Sequence, residues 1–254
     1  MVDIHCHILP GVDDGAQTSE DAINMANAAL KQGISTIIAT PHHLNSHEVN
    51  PKQAIQEQLE SLNRLFQQEK IDIKIVPGQE VRIHGELLKG IETGDIQPLG
   101  DSNYILVEFP SSNVPHYTEK LFFDLQLKGY TPIIAHPERN QELIQRPEIL
   151  YRLVKNGALS QITAASAVGK FGKKIKKFTM ELLSSNLTHF LASDAHNTTN
   201  RGFMLVEAYS TIQSQLGTDM VYLLKENAEL LLEGKHAICD IPSRIKQKKF
   251  LGLF

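Results

Sequence analysis

The chain has 254 residues, 41% of them hydrophobic and 21% charged, an ordinary make-up that excludes a disordered or fibrous protein and leaves one large domain or two small ones. Lysine and arginine number 25 against 29 aspartate and glutamate, a formal charge of −4, so no global field draws the chain to nucleic acid or an anionic membrane. Two cysteines, Cys6 and Cys239, are too few for a disulfide framework and suit a reducing compartment; with no basic-then-apolar leader and no run of about 18 apolar residues, a cytoplasmic protein without membrane insertion is expected.

Short β-rich runs alternate with longer segments of helical period, the pattern of parallel strands joined by crossover helices. The first run, Val2 to His5, leads to a helix opened by Thr18-Ser19-Glu20-Asp21, with Ala22, Ile23, Ala26, Ala29 and Leu30 on one face and Gly33 as its stop. A second run, Ser35 to Thr40, precedes a helix from Pro51 to Glu69. A third, Asp72 to Val76, is followed by a fourth, Tyr104 to Glu108, and a helix from Tyr117 to Lys128. Then come the run Thr131 to Ala135 with a helix from Pro147 to Lys155, and the run Ala158 to Thr163 with a helix from Lys173 to Ser184. The seventh run, Thr188 to Ala192, is followed by helices from Asn200 to Gln215 and Thr218 to Leu232, closed by Gly234. Seven strands in this length predict a closed or nearly closed α/β barrel in preference to an open doubly wound sheet. No repeat or linker marks a boundary, so residues 1–254 read as a single domain with a basic tail at about 240–254, Arg244 to Lys249 at its centre, taken as a solvated terminal segment.

The polar residues fall at one end of these runs. Side chains two apart on a strand point the same way, so His5 and His7 can converge on one metal ion while Cys6 points away. Pro41-His42-His43 follows the second run, Gly78-Gln79-Glu80 the third, and Glu108 closes the fourth. His136 follows the fifth run, Ser193-Asp194-Ala195-His196 the seventh, and Asp13-Asp14-Gly15 lies in the loop leaving the first. The C-terminal strand ends of a barrel build its active site, so these residues are expected to encircle one mouth. Turn and capping roles account for such residues singly, but less well for the whole set.

Charge counting sharpens the chemistry. The candidate metal ligands are His5, His7, Asp14, His42, Glu80, Glu108, His136, Asp194 and His196, nine side chains with four carboxylates. One ion cannot use nine, so two or three divalent cations are implied, and three would leave an excess of positive charge suited to a phosphate dianion. Arg139 lies three residues after His136 and Arg201 five after His196, which allows both to direct a guanidinium at substrate oxygens. Phosphate-ester hydrolysis follows. His43 stands between a ligand role and a core role; His47, His84, His116, His189 and His236 read as surface or satisfied histidines, and Phe109, Tyr117 and Phe171 as core residues near an entrance.

The strings His5-Cys6-His7-Ile8-Leu9-Pro10-Gly11-Val12-Asp13-Asp14-Gly15, Thr40-Pro41-His42, Gly78-Gln79-Glu80, Ala135-His136-Pro137-Glu138-Arg139 and Ser193-Asp194-Ala195-His196 resemble the polymerase-and-histidinol-phosphatase (PHP) superfamily. Within it they are similar to the bacterial manganese-dependent tyrosine-protein phosphatases of the YwqE/CpsB type, which accompany capsule and exopolysaccharide tyrosine kinases. The likeness runs from Met1 to about Gly234. It implies a distorted (β/α)7 barrel and a trinuclear site: His5, His7, Glu80 and Asp194 on one ion, Glu80, Glu108 and His136 on a second, and Asp14, His42 and His196 on a third. It further implies manganese, with iron, cobalt and zinc compatible with the same donors, and a phosphotyrosine substrate on a kinase C-terminal tail. Attack by metal-bound hydroxide is then expected, with Arg139 and Arg201 on the phosphoryl oxygens and His42 or Asp194 assisting a proton transfer.

Four rivals use other residues or other partners. A cysteine-nucleophile phosphatase needs an arginine after a five-residue phosphate loop; Cys6 meets Val12 at that spacing, Cys239 meets Ile245, and Arg244 falls one residue early. Histidinol-phosphate hydrolysis would use the same metal site, because substrate choice rests on loops. A PHP-type exonuclease would call on Lys170, Lys173, Lys174, Lys176 and Lys177, which read as a solvated helix face. A non-catalytic, metal-stabilised kinase-binding module is disfavoured because mixed histidine and carboxylate clusters at a strand-end mouth leave coordination positions open.

Overall fold

Every named strand of the computed structural model, which describes residues 1–245, runs parallel to its neighbours. The strands are β1 (Val2–Cys6), β2 (Thr36–Ala39), β3 (His42–His43), β4 (Lys74–Pro77), β5 (Glu80–Arg82), β6 (Tyr104–Glu108), β7 (Thr131–Ala135), β8 (Leu159–Thr163) and β9 (Phe190–Ala192). The helices are α1 (Ser19–Lys31), α2 (Lys52–Gln68), α3 (Leu87–Thr93), α4 (Thr118–Leu127), α5 (Gln141–Gln145), α6 (Glu148–Lys155), α7 (Ala164–Val168), α8 (Lys173–Ser184), α9 (Leu205–Leu216) and α10 (Thr218–Leu232). All seven strands read from the sequence are present, and the architecture is a mixed α/β domain. The residues beyond 245, most of the basic tail, lie outside the described part.

The ladder differs from the expected closed ring. It is divided into a three-stranded sheet, β1-β2-β4, and a six-stranded sheet, β3-β5-β6-β7-β8-β9. The division has a local cause. Pro41 has no N–H to continue the ladder where β2 would run into β3, and β4 is parted from β5 by Gly78-Gln79. Gly78 is needed there, because a Cβ would come within 2.6 Å of Ile38 Cγ2. The two sheets meet again along β1 and the end of β9, where Asp194 N donates to His5 O at 2.9 Å and His7 N to Ala195 O at 2.9 Å.

Both faces of the strands are buried, as crossover helices require. Along β6, Tyr104 and Leu106 join one apolar cluster and Ile105 and Val107 another; Ile133 and Ile134 of β7 divide the same way. This alternation leaves Glu108 and the residues just past β7 and β9 to face the open end. α1 is capped as its sequence indicates, Thr18 Oγ1 accepting from Asp21 N at 3.1 Å while Asp21 Oδ2 accepts from Thr18 N at 2.9 Å. Three short helices escaped the periodicity, α3, α5 and α7. α9 begins at Leu205 and not at Asn200, because Asn197 Oδ1 draws the backbone N–H of Thr199 and Arg201 into a turn. Among the described residues no helix is long and apolar enough to cross a membrane.

Candidate metal centre

His5 in β1 and His7 just past it turn their rings to the same point, Nε2 to Nε2 at 3.2 Å. The opposite nitrogen of each is occupied: His5 Nδ1 lies 2.8 Å from Gln161 Oε1 and His7 Nδ1 lies 2.7 Å from Asp13 Oδ2. A proton on each Nδ1 leaves both Nε2 lone pairs facing inward, the arrangement found behind metal-bound histidines. Glu80 Oε2 and Asp194 Oδ1 each stand 3.4 Å from both Nε2 atoms. Each carboxylate oxygen thus makes with the two Nε2 atoms a triangle of 3.2–3.4 Å sides, the spacing of neighbouring ligands at about 2.0–2.1 Å from one divalent cation.

A second group lies beside the first. Glu80, wholly buried, places Oε1 at 2.8 Å from His136 Nε2 and Oε2 at 2.8 Å from His42 Nδ1. Glu108 Oε2 is 3.9 Å from His42 Nδ1 and 3.1 Å from Arg82 Nη2, and accepts from Asn45 Nδ2 at 3.2 Å. On the outer side Asp14 Oδ1 is 3.2 Å from His196 Nε2 and 3.6 Å from His42 Nε2. Three sets of donor atoms could each hold an ion: His5, His7 and Glu80; His42, Glu80 and Glu108; and His7, Asp14, His42 and His196. His42 therefore sits between the second and third sets, and His136 touches the centre through Glu80.

The donors fit a metal on a direct observation. His42 Nδ1, Glu80 Oε2 and His196 Nε2 are buried and have no hydrogen-bond partner, although each lies within reach of a like-directed neighbour. Orphaned buried polar atoms are costly unless something else satisfies them. Charge points the same way. Five carboxylates (Asp13, Asp14, Glu80, Glu108 and Asp194) face three guanidiniums, those of Arg82, Arg139 and Arg201, leaving acid in excess in a poorly solvated cluster.

The titrating groups respond to this crowding. Burial and the neighbouring Glu80 charge push Glu108 up to about 7. Burial alone would raise Glu80 and Asp194, but His5 and His42 outweigh it for Glu80, and Arg139 and His5 for Asp194, so both carboxyls fall well below the usual range. Burial, with Arg139 beside one and His7 beside the other, holds His136 and His196 near 4, so both imidazoles keep a free lone pair at neutral pH. Burial opposes the charged forms of His5, His7 and His42, yet Glu80 for two of them and Asp13 for His7 win and raise them. A divalent ion would take the place of those protons.

Two of the site residues sit in strained backbone: His136 at φ 33° and Asp194 at φ 54°, both in the left-handed region. Such conformations cost about 1–3 kcal/mol and cluster at functional sites. Here they turn the chain sharply off β7 and β9 into the mouth. Arg139 Nη2 meets Asp194 Oδ2 at 2.9 Å, and Arg201 Nη1 meets Asp14 Oδ2 at 2.8 Å. Both arginines and His136 line a pocket of about 400 Å³ with Glu108, Phe109 and Phe171.

Several residues the sequence reading did not single out hold this geometry. Asp13 anchors His7 Nδ1 and also accepts from His42 N at 3.0 Å and Gly15 N at 2.9 Å. Gly15 is obligatory, because a Cβ would lie 2.1 Å from His7 O. Gln161 anchors His5, and Asp3 accepts from Ser193 N at 2.9 Å, fixing the start of the Asp194 turn. A polar residue within a run of strand character, as at Asp3 and Gln161, is the sequence signal that could have found them. His189 is a buried core residue whose Nδ1 accepts from Ser160 N at 3.2 Å, and His43 Nδ1 accepts from Asn50 N at 3.1 Å. His47, His116 and His236 are exposed and His84 half-buried. Cys6 is buried away from the centre, and Cys239 is exposed.

Comparison with known proteins agrees along the whole chain. The family described as "Capsular polysaccharide synthesis, CpsB/CapC" matches residues 1–233. The tyrosine-protein phosphatase YwqE of Bacillus subtilis is 49% identical over 254 residues, all of both chains. CapC of Staphylococcus aureus is 41% identical over 254 residues, again all of both chains. The tyrosine-protein phosphatase CpsB of Streptococcus pneumoniae is 30% identical over 222 residues, 85% of this chain and 91% of its own. Among solved structures, a crystal structure from work on YwqE and on CpsB of Streptococcus pneumoniae, described as metal-dependent tyrosine phosphatases, superposes with a TM-score of 0.95 at 49% identity, covering 97% of this chain and 100% of the other. By sequence and by fold, this chain belongs to the CpsB/CapC family.

Proposed function

We propose that this chain is a metal-dependent protein-tyrosine phosphatase of the cytoplasm, acting on a bacterial tyrosine kinase through its phosphorylated C-terminal tail and so regulating exopolysaccharide or capsule synthesis. The observation that carries the reading is the pair of inward imidazole nitrogens 3.2 Å apart, each 3.4 Å from a Glu80 and an Asp194 carboxylate oxygen, with two arginines at the same mouth. His5, His7, Glu80 and Asp194 would hold one ion, Glu80, Glu108 and His136 a second, and Asp14, His42 and His196 a third. Manganese is the metal we assign, with iron, cobalt or zinc accepted by the same donors. Such ions supply Lewis-acid charge to a phosphoryl group and lower the pKa of water from about 15.7 toward 7.

The chain's own side chains do the rest. Arg139 and Arg201 bind the non-bridging oxygens and keep the phosphorus in line with the attacking water. His42 or Asp194 takes up or passes on a proton at the rim. A phenolate, with a pKa near 10, leaves with little help from an acid. No cysteine takes part.

We also infer that the strands form one barrel. β2 points into β3 across Thr40-Pro41, β4 into β5 across Gly78-Gln79, and the residues just past β9 hydrogen-bond to the end of β1 and to His7, which supports one distorted seven-stranded (β/α)7 ring with its mouth at the metal centre. Residues 1–254 are then a single PHP-type domain with a basic tail.

One preparation of metal-loaded protein, offered a phosphotyrosine peptide, histidinol phosphate and single-stranded DNA, tests the function. Fastest turnover of the phosphotyrosine peptide, lost in His136→Ala, is the expected result. Preferred turnover of histidinol phosphate would move the chain to a small-molecule phosphatase. Binding of a kinase tail with no hydrolysis of any ester would make it a regulatory module.

A further inference from the structure

Phe171 is a large apolar side chain left 42% exposed at the mouth of the metal centre. It lies between α7 and α8 and is held, not loose. Lys170 N donates to Ala165 O at 2.9 Å and Gly172 N to Gly169 O at 3.0 Å, and the flanking Gly169 and Gly172 take φ of 96° and 93°, angles open to glycine and poorly tolerated by most other residues. The turn presents the phenyl ring to the same 400 Å³ pocket that Arg139, Arg201 and His136 line. Arg139 Cζ stands 5.6 Å from the ring centroid. Phe109 also lines this pocket and is itself fixed by stacking on Phe122, centroids 6.0 Å apart and planes 24° apart.

The pocket thus sets two guanidiniums and a histidine beside one exposed and one buried aromatic ring. We infer that Phe171, backed by Phe109, forms an aryl subsite: the ring of an aryl phosphomonoester lies against Phe171 while its phosphoryl group reaches Arg139 and Arg201. This rests on the phosphatase reading and deepens it, because it names what selects the substrate. A phosphotyrosine carries a flat ring between its phosphorus and its chain. A phosphoserine has only an oxygen and one methylene there and offers no ring for Phe171 to hold. Two aromatic rings in contact gain free energy beyond their buried area, enough to discriminate by about tenfold.

Non-hydrolysable ligands separate ring recognition from leaving-group chemistry. Phenylphosphonate and methylphosphonate share the phosphoryl head and differ in the ring. In calorimetric titrations of the metal-loaded protein, phenylphosphonate is expected to bind about tenfold more tightly than methylphosphonate. Phe171→Ala should bring the ratio near one by weakening the phenyl ligand alone, and Phe171→Tyr should keep it. If Phe171 serves only to brace Arg139, Phe171→Ala will weaken both ligands equally and the aryl subsite is overturned. A wild-type ratio near one overturns it too. Phosphotyrosine-peptide turnover by the same wild-type preparation keeps the two readings apart. Turnover with a ratio near one sinks the subsite and leaves the phosphatase standing; absence of turnover on any phosphoester sinks both.

Discussion

The ends of β7 and β9 begin alike and then diverge. Each strand breaks at a residue in the left-handed region, His136 or Asp194, and each is followed by an arginine that returns to the carboxylates. After β7 the chain enters a short 3-10 turn at Pro137–Arg139, so Arg139 is gripped by its side chain, between Asp194 and the Phe171 ring. After β9 the chain wanders through Asn197 to Met204 before α9 starts. Arg201 is fixed there by its backbone, its N–H on Asn197 Oδ1 and its carbonyl accepting from His196 N, while its guanidinium pairs with an Asp14 side chain that is 52% exposed. One arginine is preorganised and the other is tethered, and preorganised donors carry more of a transition state's charge.

The largest effect tests both regions together. Excess chelator should abolish phosphotyrosine turnover and added Mn²⁺ should restore it; full activity in chelator would remove the centre that both strand ends serve. Next comes the contrast itself. Arg139→Ala should lower kcat by about 10²–10³-fold and Arg139→Lys should recover little, because an ammonium lacks the fork. Arg201→Ala should cost about tenfold or less, its partner being half solvated. Equal losses would erase the distinction.

A smaller effect is expected where anchors stand behind the ligands. Asp13→Asn and Gln161→Ala should weaken metal affinity by about 10–100-fold, with kcat returning at saturating metal in a competition titration. Permanent loss of kcat would mean that these residues do more than orient His7 and His5. The smallest effect concerns the base of β9. Burial holds His189 near 4 against about 6.5 unfolded, so its contribution to stability is full above pH 6.5 and is lost as pH falls toward 4. His189→Gln should flatten the pH dependence of unfolding in that window by up to about 1.4 kcal/mol per pH unit. An unchanged profile would show that His189 does not titrate there.

The order of elements was readable because apolar β-branched runs are dense and each helix carries its own stop. β3 and β5 were not, being two and three residues long and set off by Pro41 and by Gly78-Gln79. The short helices α5 and α7 have too few turns for a period to show. At the centre, histidines and acids at strand ends stood out against apolar runs, and they converge in space. Which ion each would share was less readable. His42 lies between two donor sets because of how its ring turns, and no spacing in the chain encodes that. Asp13 and Gln161 were passed over for a similar reason: their role is to point one nitrogen of another residue's ring away from them.

The contacts between β1 and the end of β9 join residues nearly 190 positions apart, with Asp3 holding Ser193 and His5 holding Asp194. A chain emerging from the ribosome would complete α1 and its neighbours long before residue 194 appears. The cation-binding cluster therefore cannot assemble until the chain has passed residue 196, and its closure joins the two ends of a long loop. Until then His5 and His7 wait at the start of the polypeptide without their acidic partner from β9, and a nascent or truncated chain has no finished centre with which to attack a phosphoester.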